Sequence, residues 1–103
     1  MDGLQVSTAV VDDARSVVSL SGELDMATAD LLWAELEPVL QPGRTVVLDC
    51  AQLEFMDSTG MRVLLRASRR ADEVGGAFQM TAVPPPVERV LDLAGVTSEI
   101  PRG

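Results

Sequence analysis

No histidine, lysine or tyrosine occurs among the 103 residues, and several kinds of chemistry go with them. Without histidine, neither a Ser-His-Asp nor a Cys-His nucleophile pair can be assembled. Without lysine there is no Schiff base, no Ser-Lys dyad and no phosphate-loop lysine. The single cysteine, Cys50, cannot close an internal disulfide and fits a reducing compartment. Carboxylates and one thiol make a poor zinc set. Of the common catalytic schemes only carboxylate chemistry survives, so no catalytic residue, metal or cofactor is expected. Aromatic residues are 3% of the chain, so the core must rest on Leu, Val, Ala and Met. Apolar runs are a few residues long, far below the ~20 needed to cross a bilayer. The stretch Met1-Asp2-Gly3-Leu4-Gln5 has no basic region followed by an apolar one, so no secretion signal is expected.

What remains is enough for one core. Apolar residues are 47% of the chain, the mean hydropathy is +0.20, and the length suits one domain spanning 1–103. The formal net charge of −8 opposes nucleic-acid binding, where basic contacts to phosphate dominate. It opposes anionic membranes equally. A cytoplasmic protein, monomeric when free and meeting a partner with a basic surface, is the expectation.

Leu4, Val6, Thr8 and Val10 alternate with other residues, which predicts a first strand. Asp12-Asp13-Ala14 suits a turn, and Arg15 to Leu20 a strand running back. Asp25 or Thr28 can cap a helix that carries Ala29, Leu32, Leu36 and Val39 or Leu40 at helical spacing. Pro42-Gly43 breaks the chain. Thr45-Val46-Val47-Leu48 then reads as a strand buried on both faces, as in a parallel sheet. A second helix is expected from about Ser58 to Glu73, with Met61, Leu64, Leu65, Ser68 and Ala71 inward and Gly75-Gly76 at its end. Phe78, Met80 and Ala82 alternate on a fourth strand. Pro84, Pro85 and Pro86 introduce a third helix with Val87, Val90, Leu91 and Ala94 on one face, closed by Gly95. Ile100 suits a short final strand. Strands alternating with helices imply right-handed crossovers and an α/β fold, an open sheet of four to five strands with amphipathic helices packed on it.

The informative segment is Leu48-Asp49-Cys50-Ala51-Gln52-Leu53-Glu54-Phe55-Met56-Asp57-Ser58-Thr59-Gly60-Met61. It reads as the end of a buried strand, then a short loop with an acidic residue, then Asp-Ser-Thr-Gly opening an amphipathic helix. Asp57 or Ser58 suits the N-cap, where a side-chain oxygen accepts from free amides of the first turn. Gly60 permits close approach to that turn. A helix N-terminus also tolerates added negative charge, by roughly 0.3–1 kcal/mol at an exposed site. Ser58 therefore sits where a phosphate can be attached without breaking the fold. The plainer reading is that Asp-Ser-Thr-Gly is only a good cap.

Phe55-Met56-Asp57-Ser58-Thr59-Gly60-Met61, preceded by Val47-Leu48-Asp49, resembles the signature of STAS-domain anti-sigma-factor antagonists. Ser21-Gly22-Glu23-Leu24-Asp25 resembles that family's second motif, between the second strand and the first helix. Gly75-Gly76, then Pro86-Val87-Glu88-Arg89-Val90-Leu91 and Gly95, resemble its later elements. The resemblance spans nearly the whole chain and implies a mixed open sheet, a bacterial transcription regulator and a phosphoacceptor at Ser58. It further implies partner switching. An anti-sigma factor with serine kinase activity modifies Ser58, a serine phosphatase reverses this, and only the unmodified form captures the anti-sigma factor and frees the sigma factor. Thr59, where relatives often have serine, is a secondary acceptor. Arg62, where several relatives have glycine, lies four residues after Ser58 and can reach a phosphate there.

Glu23, Asp25, Asp57, Ser58, Thr59, Gly60, Met61 and Arg62 are thus the expected partner-binding set. Glu23 and Asp25 either line the partner site or merely cap the first helix. Arg62, Arg66, Arg69 and Arg70 form a basic face, either simply solvated or a docking surface. Asp49 resembles a receiver-domain phosphoacceptor, but such domains need a lysine that this chain does not have. Cys50 is read as core, and Trp33 as packing. The alternative function is a non-switching STAS adaptor inside a larger transport or signalling complex.

Overall fold

The computed structural model describes residues 3–103, so the first two residues of the Met1–Gln5 stretch lie outside the described residues. Four strands, β1 (Leu4–Val10), β2 (Arg15–Leu24), β3 (Thr45–Met56) and β4 (Ala77–Thr81), form one sheet in the order β1-β2-β3-β4. β1 and β2 are antiparallel, whereas β2–β3 and β3–β4 are parallel. Helices α1 (Ala29–Leu36), α2 (Ser58–Val74) and α3 (Pro85–Ala94) complete the fold. No helix among the described residues is long and apolar enough to cross a membrane.

One phase of the strand pleat faces the core. Ser16, Val18 and Leu20 on β2, Val46, Leu48 and Cys50 on β3, and Phe78 and Met80 on β4 are all buried. All of these but Ser16 pack with Leu32 and Leu36 of α1, Leu64, Ala67 and Ala71 of α2, and Val87 and Leu91 of α3. The opposite phase is half-buried at Val17, Ser19, Asp49 and Gln79 and buried at Val47. This mixed open sheet is the α/β architecture the sequence pattern predicts.

The strand ends differ from that pattern. β2 continues four residues past Leu20, so Ser21-Gly22-Glu23-Leu24 is strand rather than connection. Gly22 permits this, because a Cβ there would collide with the Gly3 carbonyl. β3 likewise continues through Met56, so Asp49 lies mid-strand and no loop precedes the Asp-Ser-Thr-Gly segment. β4 pairs only with Thr45–Asp49 of β3, which leaves the distal half of β3 supported by β2 alone. That half carries the exposed pairs Ala51-Gln52 and Glu54-Phe55, a pattern that reads as loop.

Ala82 lies beyond β4 with a positive φ of 55°, and Ile100 is buried without joining a strand. Only a single bridge, Met80 with Arg102, extends the sheet there. Ala94 is exposed at the end of α3, and Thr8 and Val10 are exposed on β1, where no helix covers them. On α2, Met61 and Leu65 are half-buried at the rim of the core, while Val63 and Ala67, absent from the expected inward set, are buried. α1 is shorter than predicted, because Pro38 turns its continuation into a 3-10 turn over Glu37–Val39.

Candidate functional site

The C-terminal ends of β2 and β3 lie side by side, with Glu23 opposite Phe55 and Leu24 opposite Met56. Each strand feeds a helix at this edge. Register shifts between Ser19 and Ser21, and between Gly22 and Glu23, each leave one extra residue on β3 just before it, so β3 is the bulged strand.

Asp57 joins the two connections. It is the N-cap of α2, in extended backbone, and its Oδ1 accepts the Gly60 N–H at 2.9 Å. Its Oδ2 accepts the Met26 N–H at 3.3 Å, across the gap to the β2–α1 turn. Its own N–H donates to the Leu24 carbonyl at 3.1 Å. Gly60 is buried, and the group that approaches it closely is Leu24. A Cβ on Gly60 would lie 2.5 Å from Leu24 Cγ and 2.8 Å from its carbonyl oxygen.

With Asp57 as the cap, Ser58 becomes the first helical residue, exposed and with no hydrogen bond from its hydroxyl to another described residue. Thr59 is half-buried. Arg62 is exposed one turn along and forms no ion pair among the described residues. On a helix it lies on the Ser58 face.

Neither Asp25 nor Thr28 caps α1 with its side chain. Thr28 occupies the cap position, yet its hydroxyl turns back to donate to the Glu23 carbonyl at 2.9 Å. Asp25 Oδ1 accepts the Ala27 N–H at 2.9 Å, closing a tight turn of its own. The capping alternative for Asp25 therefore fails, and its carboxylate instead shapes the turn that Asp57 grips. Glu23 is exposed beside it.

Two residues the sequence pattern did not single out complete this surface. Met26 is 79% exposed and Phe55 48%, on either side of the Asp57 clasp. Exposed apolar side chains next to a polar centre suit an interaction surface. The available signal was the β3 phase: Phe55 precedes buried Met56 and so faces away from it.

The other chemistry-bearing groups are occupied elsewhere. Burial, and then the Asp49 charge, push the Cys50 thiol up to about 12, so it stays protonated and inert in the core. Arg66 stacks over Trp33 with its guanidinium carbon 3.9 Å from the ring centroid. Arg69 faces Glu99 at 3.9 Å and Arg70 faces Glu73 at 3.6 Å. The basic face of α2 is largely compensated, leaving Arg62 as its free cation among the described residues.

Comparison with known proteins matches this arrangement. The family described as Mlab, STAS domain, matches residues 7–101. The anti-sigma F factor antagonist of Paenibacillus polymyxa is 36% identical over 82% of this chain and 74% of its own. The anti-sigma-B factor antagonist of Bacillus subtilis is 25% identical over 77% of this chain and 72% of its own. Among solved structures, an anti-sigma factor antagonist from Mycobacterium paratuberculosis superposes with a TM-score of 0.84 at 30% identity, covering 98% of this chain and 86% of that one. The chain belongs to the STAS-domain family of anti-sigma-factor antagonists.

Proposed function

We propose that this chain is a phosphorylation-controlled anti-sigma-factor antagonist acting in the cytoplasm as a monomer. In its unmodified form it binds an anti-sigma factor that carries serine kinase activity, and the sigma factor is released. Phosphorylation of Ser58 blocks that binding, and a serine phosphatase restores it. The observation that carries the reading is the free, exposed Ser58 hydroxyl at the first turn of α2, held beside the β2–α1 turn by Asp57. The names of the relatives support the same direction.

The block follows from local electrostatics. A phosphate on the exposed Ser58 meets the amides and dipole of α2, which favour it by roughly 0.3–1 kcal/mol. Asp57 opposes it and Arg62 offsets that repulsion, so the isolated fold changes little. A partner surface that accepts a neutral hydroxyl must instead desolvate a dianion. An unpaired charge at an interface costs about 2–5 kcal/mol, or roughly 30-fold to several thousand-fold in affinity. Glu23, Asp25, Met26, Phe55, Asp57, Met61 and Arg62 form the surrounding contact surface, with Thr59 a secondary acceptor made less accessible by its half-buried position.

The test is incubation with candidate anti-sigma kinases and ATP, followed by mass-spectrometric mapping. Label is expected on Ser58, and Ser58→Ala should abolish it and leave a permanently binding protein. Stoichiometric label on the Ala variant, at Thr59 or elsewhere, refutes the assignment. Binding that is indifferent to phosphorylation makes the chain a non-switching adaptor.

A further inference from the structure

β1 is an edge strand whose outer side nothing among the described residues covers. The hydrogen bonds at its two ends fix which backbone groups point outward. Glu23 donates its N–H to the Gly3 carbonyl at 2.9 Å, and Val11 donates its N–H to the Arg15 carbonyl at 2.9 Å. The β1–β2 register between these bonds is unbroken. Opposed residues in an antiparallel pair alternate between bonded and non-bonded. Gln5, Ser7 and Ala9 therefore bond to β2, and Leu4, Val6, Thr8 and Val10 turn their N–H and C=O groups away from the sheet.

Natural edges are blunted by lysine, proline, inward charge or a bulge. The seven residues of β1 contain none of these. Val10 and Val11 are 67% and 58% exposed at its far end. From Leu4 to Val10 the edge runs about 20 Å, at ~3.4 Å per residue, the length of a seven-residue strand.

Charge selects the occupant. A depression of about 300 Å³ at the Leu4 end is bordered by Glu23 and Glu54 and by no cationic side chain. At the other end Asp12 and Asp13 lie near Arg15 and Arg44, and Arg44 Nη1 donates to the Asp12 carbonyl at 3.1 Å, so that end is close to neutral. A second copy of the chain brings a net charge of −8 against another −8, with no cation on the strand to offset it. We propose that the free edge of β1 receives an extended segment of a partner protein by antiparallel strand addition. The segment is uncharged and rich in β-branched residues across its middle. It ends in lysine or arginine where it reaches Glu23 and Glu54.

The probe is an acetylated, amidated peptide of three Val-Thr repeats ending in two lysines, titrated into the full-length labelled protein. The amides of Leu4, Val6, Thr8 and Val10 should shift and become protected from hydrogen exchange. The same peptide ending in two glutamates should bind at least about tenfold more weakly, and Glu54→Gln should shrink that preference. Thr8→Pro removes an outward N–H without touching the ladder to β2, so it should weaken binding by about tenfold with little change in melting temperature. If that variant does not fold, a probe N-methylated on its bonding edge serves instead, and its loss of binding is the expected result. Equal affinity for the lysine and glutamate peptides, or no binding of either at ~1 mM, overturns the proposal. So does protection of the same four amides without peptide in a protein that sediments as a dimer, which would assign the edge to a second copy.

Discussion

Replacing Gly60 by alanine adds one methyl group where α2 crosses the end of β2, and two effects compete. In a helix alanine is favoured over glycine by ~0.5–1 kcal/mol, which would stabilise the fold. Against this, the new Cβ would lie 2.5 Å from Leu24 Cγ and 2.8 Å from the Leu24 carbonyl oxygen. Leu24 is fully buried, so its side chain has no open space to swing into. Its carbonyl is fixed as the acceptor of the Asp57 N–H at 3.1 Å. Overpacking costs ~1–3 kcal/mol, and with a fixed backbone oxygen in the way the upper part of that range, ~2–3 kcal/mol, applies, so the clash wins by a net ~1–2 kcal/mol. For a domain of this size that lowers the melting temperature by ~4–16 °C. Thermal unfolding followed by circular dichroism measures it, with exposed Ser58→Ala, expected within ~0.5 kcal/mol of the parent, as reference. Anti-sigma-factor affinity should fall as well, because displacing Leu24 separates the β2–α1 turn from the cap of α2. An alanine variant that melts at or above the parent temperature would refute this account of why the motif carries glycine.

Asp25→Ala removes the acceptor of the Ala27 N–H and should cost ~1 kcal/mol in unfolding free energy. It should also weaken anti-sigma-factor binding by about tenfold in titration calorimetry; the same folding loss with unchanged affinity would leave Asp25 as turn support alone. Phosphorylated and unmodified protein should melt within a few degrees of each other, a window of ~0.5 kcal/mol, and differ in amide shifts only around Met26 and Ser58–Arg62. Large shifts across Val87–Ala94 would instead require an allosteric switch. Cys50 makes stability depend on alkaline pH, since its thiol is pushed from 9.0 to about 12 in the fold. The unfolded chain loses this proton first, so stability is unaffected below pH ~9 and falls by ~1.4 kcal/mol per unit up to pH ~12. In urea titrations against pH, Cys50→Ala should begin less stable at neutral pH but lack that decline.

The elements legible in the sequence are those whose pattern is set by a single partner. α2 shows its buried stripe because one face meets the core, and its ends are marked by Asp57 and by left-handed Gly75. β3 was half legible. Thr45–Leu48 is flanked by strands on both sides and reads as an apolar run, whereas Ala51–Phe55 has a neighbour on one side only and alternates irregularly. Ser58 could be placed at the start of α2 from local capping chemistry, since a cap and the amides it serves lie within three residues. The rest of the site is non-local. The bond from Met26 to Asp57 spans 31 residues, and no local pattern encodes it. Gly60 could be read only as permission for a close approach; that Leu24 makes the approach depends on how β2 and β3 end side by side. Met26 and Phe55 are illegible for the same reason, because an apolar residue in a short segment looks like core until the neighbouring strand and helix are in place. Their exposure beside an ungripped serine hydroxyl is the combination that the proposed partner surface needs and that no local pattern announces.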